Sequence, residues 1–258
     1  MALVLKFGGA SVATPESFSK IAEIIADEMT RTQEIVVVVS AMGDTTDELL
    51  SLAHKVHPNP PKRELDMLVS VGERISISLL AMALSLKGIE AVSFTGSQSG
   101  IITDEMHSDA KIVSVNPKRV VSALLEKKVA IVAGFQGVSR NQEITTLGRG
   151  GSDTTAVALA IALGAQEVIF YKDVPGIFNR DPKKDPSAYL LPFLSYEDAY
   201  ILMEKGAQVL HSRSIRLAQK NGIALSIRSF INPSQEGSLV GEKRVLKEKE
   251  YELVGGRG

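Results

Sequence analysis

Short runs rich in β-branched residues recur along this chain, at 35–39, 89–94, 129–133 and 168–171, and a further strand-like stretch, Leu3–Phe7, opens it. Longer segments with helical periodicity separate them. Phe18, Ile21, Ile25 and Met29 share one helix face, and Val71, Ile75 and Leu79 share another. Strands that alternate with helices need crossover connections, and those crossovers lay helices over both faces of a mainly parallel sheet. The expected fold class is α/β. With 258 residues, 44% of them hydrophobic, the chain can bury a sizeable core in one domain or in two closely packed lobes.

Punctuation residues mark the element ends. Thr14-Pro15 reads as an N-cap followed by proline at the first helical position, and Asn116-Pro117 repeats the pattern. Gly88 and Gly222 stand where helices should end. The proline-rich stretch 57–62 reads as a surface loop, and Ser139-Arg140-Asn141 as the turn of a hairpin completed by 141–146. From 242 onward the chain is mostly charged and then glycine-rich, which suggests a linker or tail.

Composition narrows the function classes. The 29 basic and 30 acidic residues leave a net charge of −1, without the basic excess usual in proteins that bind nucleic acids or membrane surfaces. There is no cysteine, which excludes disulfides, thiolate metal sites and a cysteine nucleophile. His54, His57, His107 and His211 lack metal-ligand spacing, so no protein-held metal is expected. The N-terminus does not read as a signal peptide, and no uninterrupted apolar run is long enough to cross a bilayer. A soluble, cytoplasmic protein is the expectation.

Five segments can carry chemistry. In Lys6-Phe7-Gly8-Gly9 a strand ends at a double glycine, where exposed N–H groups can hold phosphate oxygens beside a lysine charge; a plain strand-to-helix turn fits equally. The polar turn 40–47 collects hydroxyls and amides, and also suits helix capping by Asp44 or Thr45. Gly72-Glu73-Arg74 places a glycine inside a helix, at a cost of about 1 kcal/mol, which suggests close packing or close approach of a ligand. In 145–155 three glycines and Arg149 lead into a small-residue helix whose first turn holds Ser152, Asp153 and Thr154. Such a helix start favours anions, and Arg149 can grip a carboxylate with two parallel hydrogen bonds. Finally, 171–183 follows a strand. Ile177 and Phe178 can pack on an adenine ring there, with Lys172, Arg180 and Lys183 near its phosphates, although an ordinary loop also fits.

Taken in order, KFGG at 6–9, SAMGDTTDEL at 40–49, GER at 72–74, FTGSQ at 94–98, GFQG at 134–137, TTLGRGGSDTTA at 145–156 and YKDVPGIFNRDP at 171–182 resemble the amino acid kinase family, and within it the aspartate kinases. The resemblance covers 2–241. It implies an α/β/α sandwich with a catalytic unit over 1–241: an aspartate-binding lobe over 1–145 and an ATP-binding lobe over 146–241, with 242–258 left as tail. It implies transfer of the γ-phosphoryl group of ATP, with Mg²⁺, to the β-carboxylate of L-aspartate, the first step of aspartate-family amino acid biosynthesis.

The implied roles follow the matched positions. Lys6, Phe7, Gly8 and Gly9 form the phosphate-contacting start. Ser40, Thr46, Glu73, Arg149, Gly150, Gly151 and Ser152 contact the substrate. Asp153 organises charge at the centre and, with Lys6, is catalytic. Lys172, Asp173, Phe178, Arg180 and Lys183 lie on or beside the nucleotide-binding stretch.

The chemistry agrees. A β-carboxylate with a reference pKa near 3.9 is ionised at neutral pH and needs no general base, so positioning and positive charge must bring two anions together. Two features depart from the family pattern. Gln208 stands where many relatives have a lysine, and the chain ends at Gly258, before either of the two ACT regulatory modules usual in aspartate kinases. No feedback inhibition through such modules is therefore expected. A homodimer is implied by the resemblance. The competing readings are an amino acid kinase of other specificity and a catalytically weak regulatory or binding subunit with the same fold.

Overall fold

The run Ile35–Val39 is buried at every position, as are Leu3–Phe7 and Val129–Ala133, which is the burial of strands covered on both faces. The computed structural model describes residues 2–182, 184–207 and 209–242. The expectations attached to Lys183, Gln208 and 243–258 lie outside the described residues.

In chain order the first elements are β1 (Leu3–Phe7), α1 (Pro15–Glu28), β2 (Ile35–Val39), α2 (Thr45–Val56), α3 (Lys62–Val69), α4 (Val71–Leu86), β3 (Ala91–Phe94), β4 (Ile101–Thr103), β5 (Ile112–Val115), α5 (Lys118–Leu125) and β6 (Val129–Ala133). There follow β7 (Gln136–Ser139), β8 (Ile144–Thr146), α6 (Gly151–Ala162), β9 (Glu167–Lys172), β10 (Phe193–Ser195), α7 (Tyr196–Glu204), α8 (Ser212–Asn221), β11 (Ala224–Ser229) and β12 (Ser238–Gly241). An eight-stranded sheet has the order β10-β12-β11-β9-β1-β2-β6-β3, and a four-stranded sheet the order β5-β4-β7-β8. The six strands from β11 to β3 pair in parallel, whereas β12 runs antiparallel to β11. The α/β expectation therefore holds, with a small second sheet added.

Strand alternation sorts the core into two layers. Leu3, Leu5 and Phe7 of β1, with Val37 and Ile131, pack under α1 and α4 against Phe18, Ile21, Ile25 and Leu80. Val4, Val36 and Val38, with Val168 and Phe170, pack on the opposite side against α6, α7 and α8.

Several local expectations are corrected. Thr14 and Pro15 do start α1, but the second N-cap lies one residue later than expected, at Pro117, with α5 beginning at Lys118. Asp44 occupies the N-cap position of α2 without a side-chain capping bond. Gly72 lies in the first turn of α4, not in a helix interior. Gly88 and Gly222 adopt φ of +70° and +65° at helix ends, as expected.

The face of α4 marked by Val71 and Ile75 is the outer one, at 40% and 43% exposure. The inner face carries Gly72, Glu73, Ser76, Ile77, Leu80 and Leu84. Small residues are needed there because a Cβ on Gly72 would lie 2.7 Å from Cβ of Ala41. Periodicity of apolar side chains does not register that requirement. One helical run, Lys62–Leu86, has the length and mean hydropathy to cross a bilayer, although Glu73 and Arg74 interrupt its apolar stretch; in this fold α4 packs its inner face against the sheet core.

Candidate active site

The parity of β1 aims Lys6 at its target. Lys6 lies on the same strand face as Val4, towards α6, while Phe7 turns the other way. Lys172, at the end of β9, shares the face of Val168 and Phe170. Both ammonium groups meet Asp153 in the first turn of α6: Lys6 Nζ lies 2.6 Å from Oδ1 and Lys172 Nζ 3.4 Å from Oδ2. This ion triad sits at the C-terminal ends of parallel strands, where open α/β sheets bind ligands.

Burial is nearly complete for Lys6 and Asp153, and it sets their ionisation. Desolvation pushes the Lys6 ammonium down to about 8; the adjacent Asp153 charge opposes this, and Lys172 adds to it. Burial alone would raise the Asp153 carboxyl, but Lys172 and then Lys6 outweigh it and hold it at about 2. At neutral pH the triad therefore carries two positive charges and one negative. Gly8 lies directly beside the triad, since a Cβ there would stand in contact with Lys6 Nζ at 3.4 Å. The same atom on Gly9 would lie 3.3 Å from the carbonyls of Ala41 and Gly43, so Gly9 lets the turn after β1 approach the turn after β2.

Glu73 forms a second pole. Its Oε1 accepts from the Ala41 N–H at 3.2 Å, while Oε2 is buried without a hydrogen-bond partner among the described residues. Desolvation raises its carboxyl to about 7 against bonds from the backbone and from Gln136 and the charge of Lys6. A buried, reluctantly charged carboxylate with one oxygen left unpaired is a prepared place for a cation. Ser40, on the β2–α2 turn that Glu73 touches, and Thr46, in the first turn of α2, are half-buried, with the Ser40 N–H donating to the Phe7 carbonyl at 3.2 Å.

The glycine-rich loop between β8 and α6 supplies the third part. Gly148 and Gly150 adopt φ of +72° and +71°, which turns the chain so that exposed Arg149 stands out from the loop, without a hydrogen-bond or ion-pair partner among the described residues. Gly151 and Ser152 open α6. Ser152 packs against Gly134, where a Cβ would lie 2.7 Å from Cβ of Ser152.

A cleft of about 800 Å³ lies beside Lys172, between the loop after β9 and the end of α7. Asp173, Phe178, Arg180, Lys205, Ala207 and Val209 line it. Phe178 is half-buried, and its backbone bridges to Leu190, which braces the loop. That volume suits a nucleotide-sized ligand. Three sequence-derived assignments change in detail. Ile177 is fully buried in the core and leaves Phe178 as the aromatic surface. The Phe7 side chain stacks on Tyr171 at 4.9 Å on the far side of the sheet, so only its backbone faces the site. Arg180 is exposed and ion-paired with Asp185 at 2.9 Å.

The sequence did not point to Gln136 or Asp66. Gln136 is buried, donates to the Ser70 carbonyl at 2.8 Å and helps to hold the Glu73 carboxyl down against its burial. Asp66 accepts from the Thr146 hydroxyl (2.6 Å) and amide (3.1 Å), the Ser108 amide (3.1 Å) and the His107 ring (2.8 Å), tying α3 to the root of the glycine-rich loop. The GFQG motif held a signal for Gln136; an aspartate in an otherwise ordinary amphipathic helix gave none for Asp66.

Comparison with known proteins extends this geometry. The model of the amino acid kinase family matches residues 1–229. An aspartokinase of Bacillus sp. strain MGA3 is 46% identical over 246 residues, which is 95% of this chain and 60% of that protein. The crystal structure of an aspartate kinase from Synechocystis superposes with a TM-score of 0.82 at 43% identity, covering 93% of this chain and 40% of that one. The structure of E. coli aspartokinase III in complex with aspartate and ADP gives a TM-score of 0.85 at 26% identity, covering 94% and 65%. The chain spans about 60% of the length of the curated relatives it matches.

Proposed function

This chain belongs to the amino acid kinase family, and we propose that it transfers the γ-phosphoryl group of ATP to the β-carboxylate of L-aspartate, giving 4-phospho-L-aspartate. The reading rests above all on the two poles of the site: a buried Glu73 oxygen without a hydrogen-bond partner among the described residues, and two lysines converging on one aspartate. The relatives at 46% to 50% identity are aspartokinases, which supports it.

Each group has a task in that reaction. Glu73 Oε2 takes the substrate α-ammonium, and Arg149 takes the α-carboxylate through two parallel bonds. Ser40, Thr46, Gly150, Gly151 and Ser152 complete the amino-acid subsite over the half 1–145 and the first turn of α6. The nucleotide lies over 146–241, its base on Phe178 and its phosphates running towards Lys172 and the turn Gly8-Gly9. An oxygen of the ionised β-carboxylate forms the new bond to the γ-phosphorus as the bond to the β,γ-bridging oxygen breaks, and that electron pair leaves with ADP. No proton moves, so no general base is needed.

The obstacle is anion meeting polyanion, and Lys6, Lys172 and the positive end of α6 offset it. Asp153 holds the two lysines apart and aimed. Mg²⁺ supplies further charge neutralisation on the phosphates when bound. The carboxylate of Asp173, exposed at the cleft, fits an ion that keeps much of its water. We place the enzyme in the cytoplasm, as a homodimer acting in amino acid biosynthesis.

The test is turnover of L-aspartate with MgATP, trapped as the hydroxamate, beside glutamate, N-acetylglutamate and carbamate. Selective turnover of aspartate is expected. Preference for another acid would replace the substrate assignment, and no turnover with any acid would favour a binding subunit.

A further inference from the structure

The loop that carries Arg149 is also gripped from α8. Arg213, in the first turn of α8, donates from Nη1 to the Leu147 carbonyl at 2.9 Å and from Nη2 to the Ala110 carbonyl at 2.8 Å. These two backbone segments run side by side, since the Ala110 N–H donates to the Thr146 carbonyl at 2.9 Å. One planar guanidinium therefore bridges two main-chain carbonyls, and one of them lies just ahead of Gly148-Arg149. Asp109 Oδ1, 3.7 Å from Nη1, adds a weaker ionic contact.

His211 touches the other side of the loop. Its ring lies so close to Gly150 that a Cβ there would stand 2.1 Å from Cγ of His211. The ring Nδ1 accepts from the Arg213 N–H at 3.3 Å as the N-cap of α8, so the two residues are oriented together. Arg149 is thus flanked on both sides by main-chain positions that α8 holds, Leu147 before it and Gly150 after it, while its own side chain stays exposed.

We propose that His211 and Arg213 are positioning residues for Arg149: they fix the backbone from which the guanidinium reaches the substrate α-carboxylate. This rests on the reading of Arg149 given above. Neither residue touches substrate; both act through the loop. A loop released on one side lets Arg149 sample more conformations. The amino-acid substrate then binds more weakly, while the triad of Lys6, Asp153 and Lys172 is left in place.

Steady-state kinetics of Arg213→Met, Arg149→Ala and the double variant test this. Arg213→Met is expected to raise KM for aspartate about tenfold or more, with kcat and KM for ATP within about twofold. In the Arg149→Ala background the same change should add almost nothing, because the two residues act as one unit. Arg213→Lys should fall between, since an ammonium does not bridge two carbonyls as a planar fork does. Equal losses in kcat and in both KM values would overturn the proposal, as would an effect that multiplies that of Arg149→Ala. If Arg213→Met does not fold, as judged by circular dichroism, His211→Ala carries the same comparison. If Arg149→Ala itself leaves the aspartate KM unchanged, the carboxylate role fails, and the proposal with it. That outcome is distinguishable from a failure of the α8 grip alone.

Discussion

Lowering the pH from 7 to 5 should weaken capture of aspartate by about 50-fold through Glu73 alone. The buried carboxyl titrates at about 7 because desolvation outweighs its hydrogen bonds and the charge of Lys6. Only the carboxylate can pair with the substrate ammonium. Its fraction falls from about a half at pH 7 to about a hundredth at pH 5. Free aspartate keeps its β-carboxylate ionised over that window, so the limb belongs to the protein. Isothermal titration of the nucleotide-free protein with aspartate measures it without interference from ATP ionisation. Glu73→Gln should bind aspartate weakly at every pH and lose the limb. A flat profile from pH 5 to 7, or an unchanged limb in Glu73→Gln, would refute the reasoning. The same shift makes a stability statement. The folded value of about 7 lies above the reference 4.5. The protein therefore holds the proton more tightly than the unfolded chain, and the group's stabilisation is full below pH 4.5 and lost as pH rises through 7. At pH 8 that loss amounts to about 3 kcal/mol, so Glu73→Gln should melt roughly 5 to 10 °C higher there while failing as an enzyme.

Three further outcomes are expected. Lys6→Met should lower kcat by about 10² to 10³ with aspartate KM nearly unchanged, and Arg149→Ala should do the reverse; steady-state kinetics showing the opposite split would exchange their roles. Gly150→Ala meets both a φ of +71° and the His211 ring, so aspartate KM should rise about tenfold or more. Phe178→Ala removes the aromatic surface of the cleft and should raise KM for ATP several-fold without altering that for aspartate, since Phe178 lines the cleft beside Lys172 and Glu73 does not.

Much of the site was legible because its parts are local. A glycine pair after a strand, an arginine among glycines and an acid in a first helical turn each announce themselves within ten residues. Gly150 is different: its backbone need for glycine was foreseeable, but the His211 ring that forbids a Cβ was not. Ile177 and Phe178 were equally apolar on paper. Strand-end packing buried the first in the core and left the second lining the cleft. Val71, Ile75 and Leu79 formed the more convincing helix face, yet the inner face begins with Gly72, Glu73 and Ser76 ahead of Ile77, Leu80 and Leu84, because the start of α4 must come within contact of Ala41.

Order along the chain determined the class of fold. Buried β-branched runs separated by helices leave few arrangements other than a parallel sheet with helices on both sides, and period-two alternation already put Lys6 and Phe7 on opposite faces. The tertiary structure alone decided which distant groups share that face and in what electrostatic state. Lys6, Lys172 and Asp153 meet because β1 and β9 are neighbours and α6 starts above them. The displaced pKa values of Lys6 and Glu73 arise from burial, a property of the assembled layers that no single segment possesses.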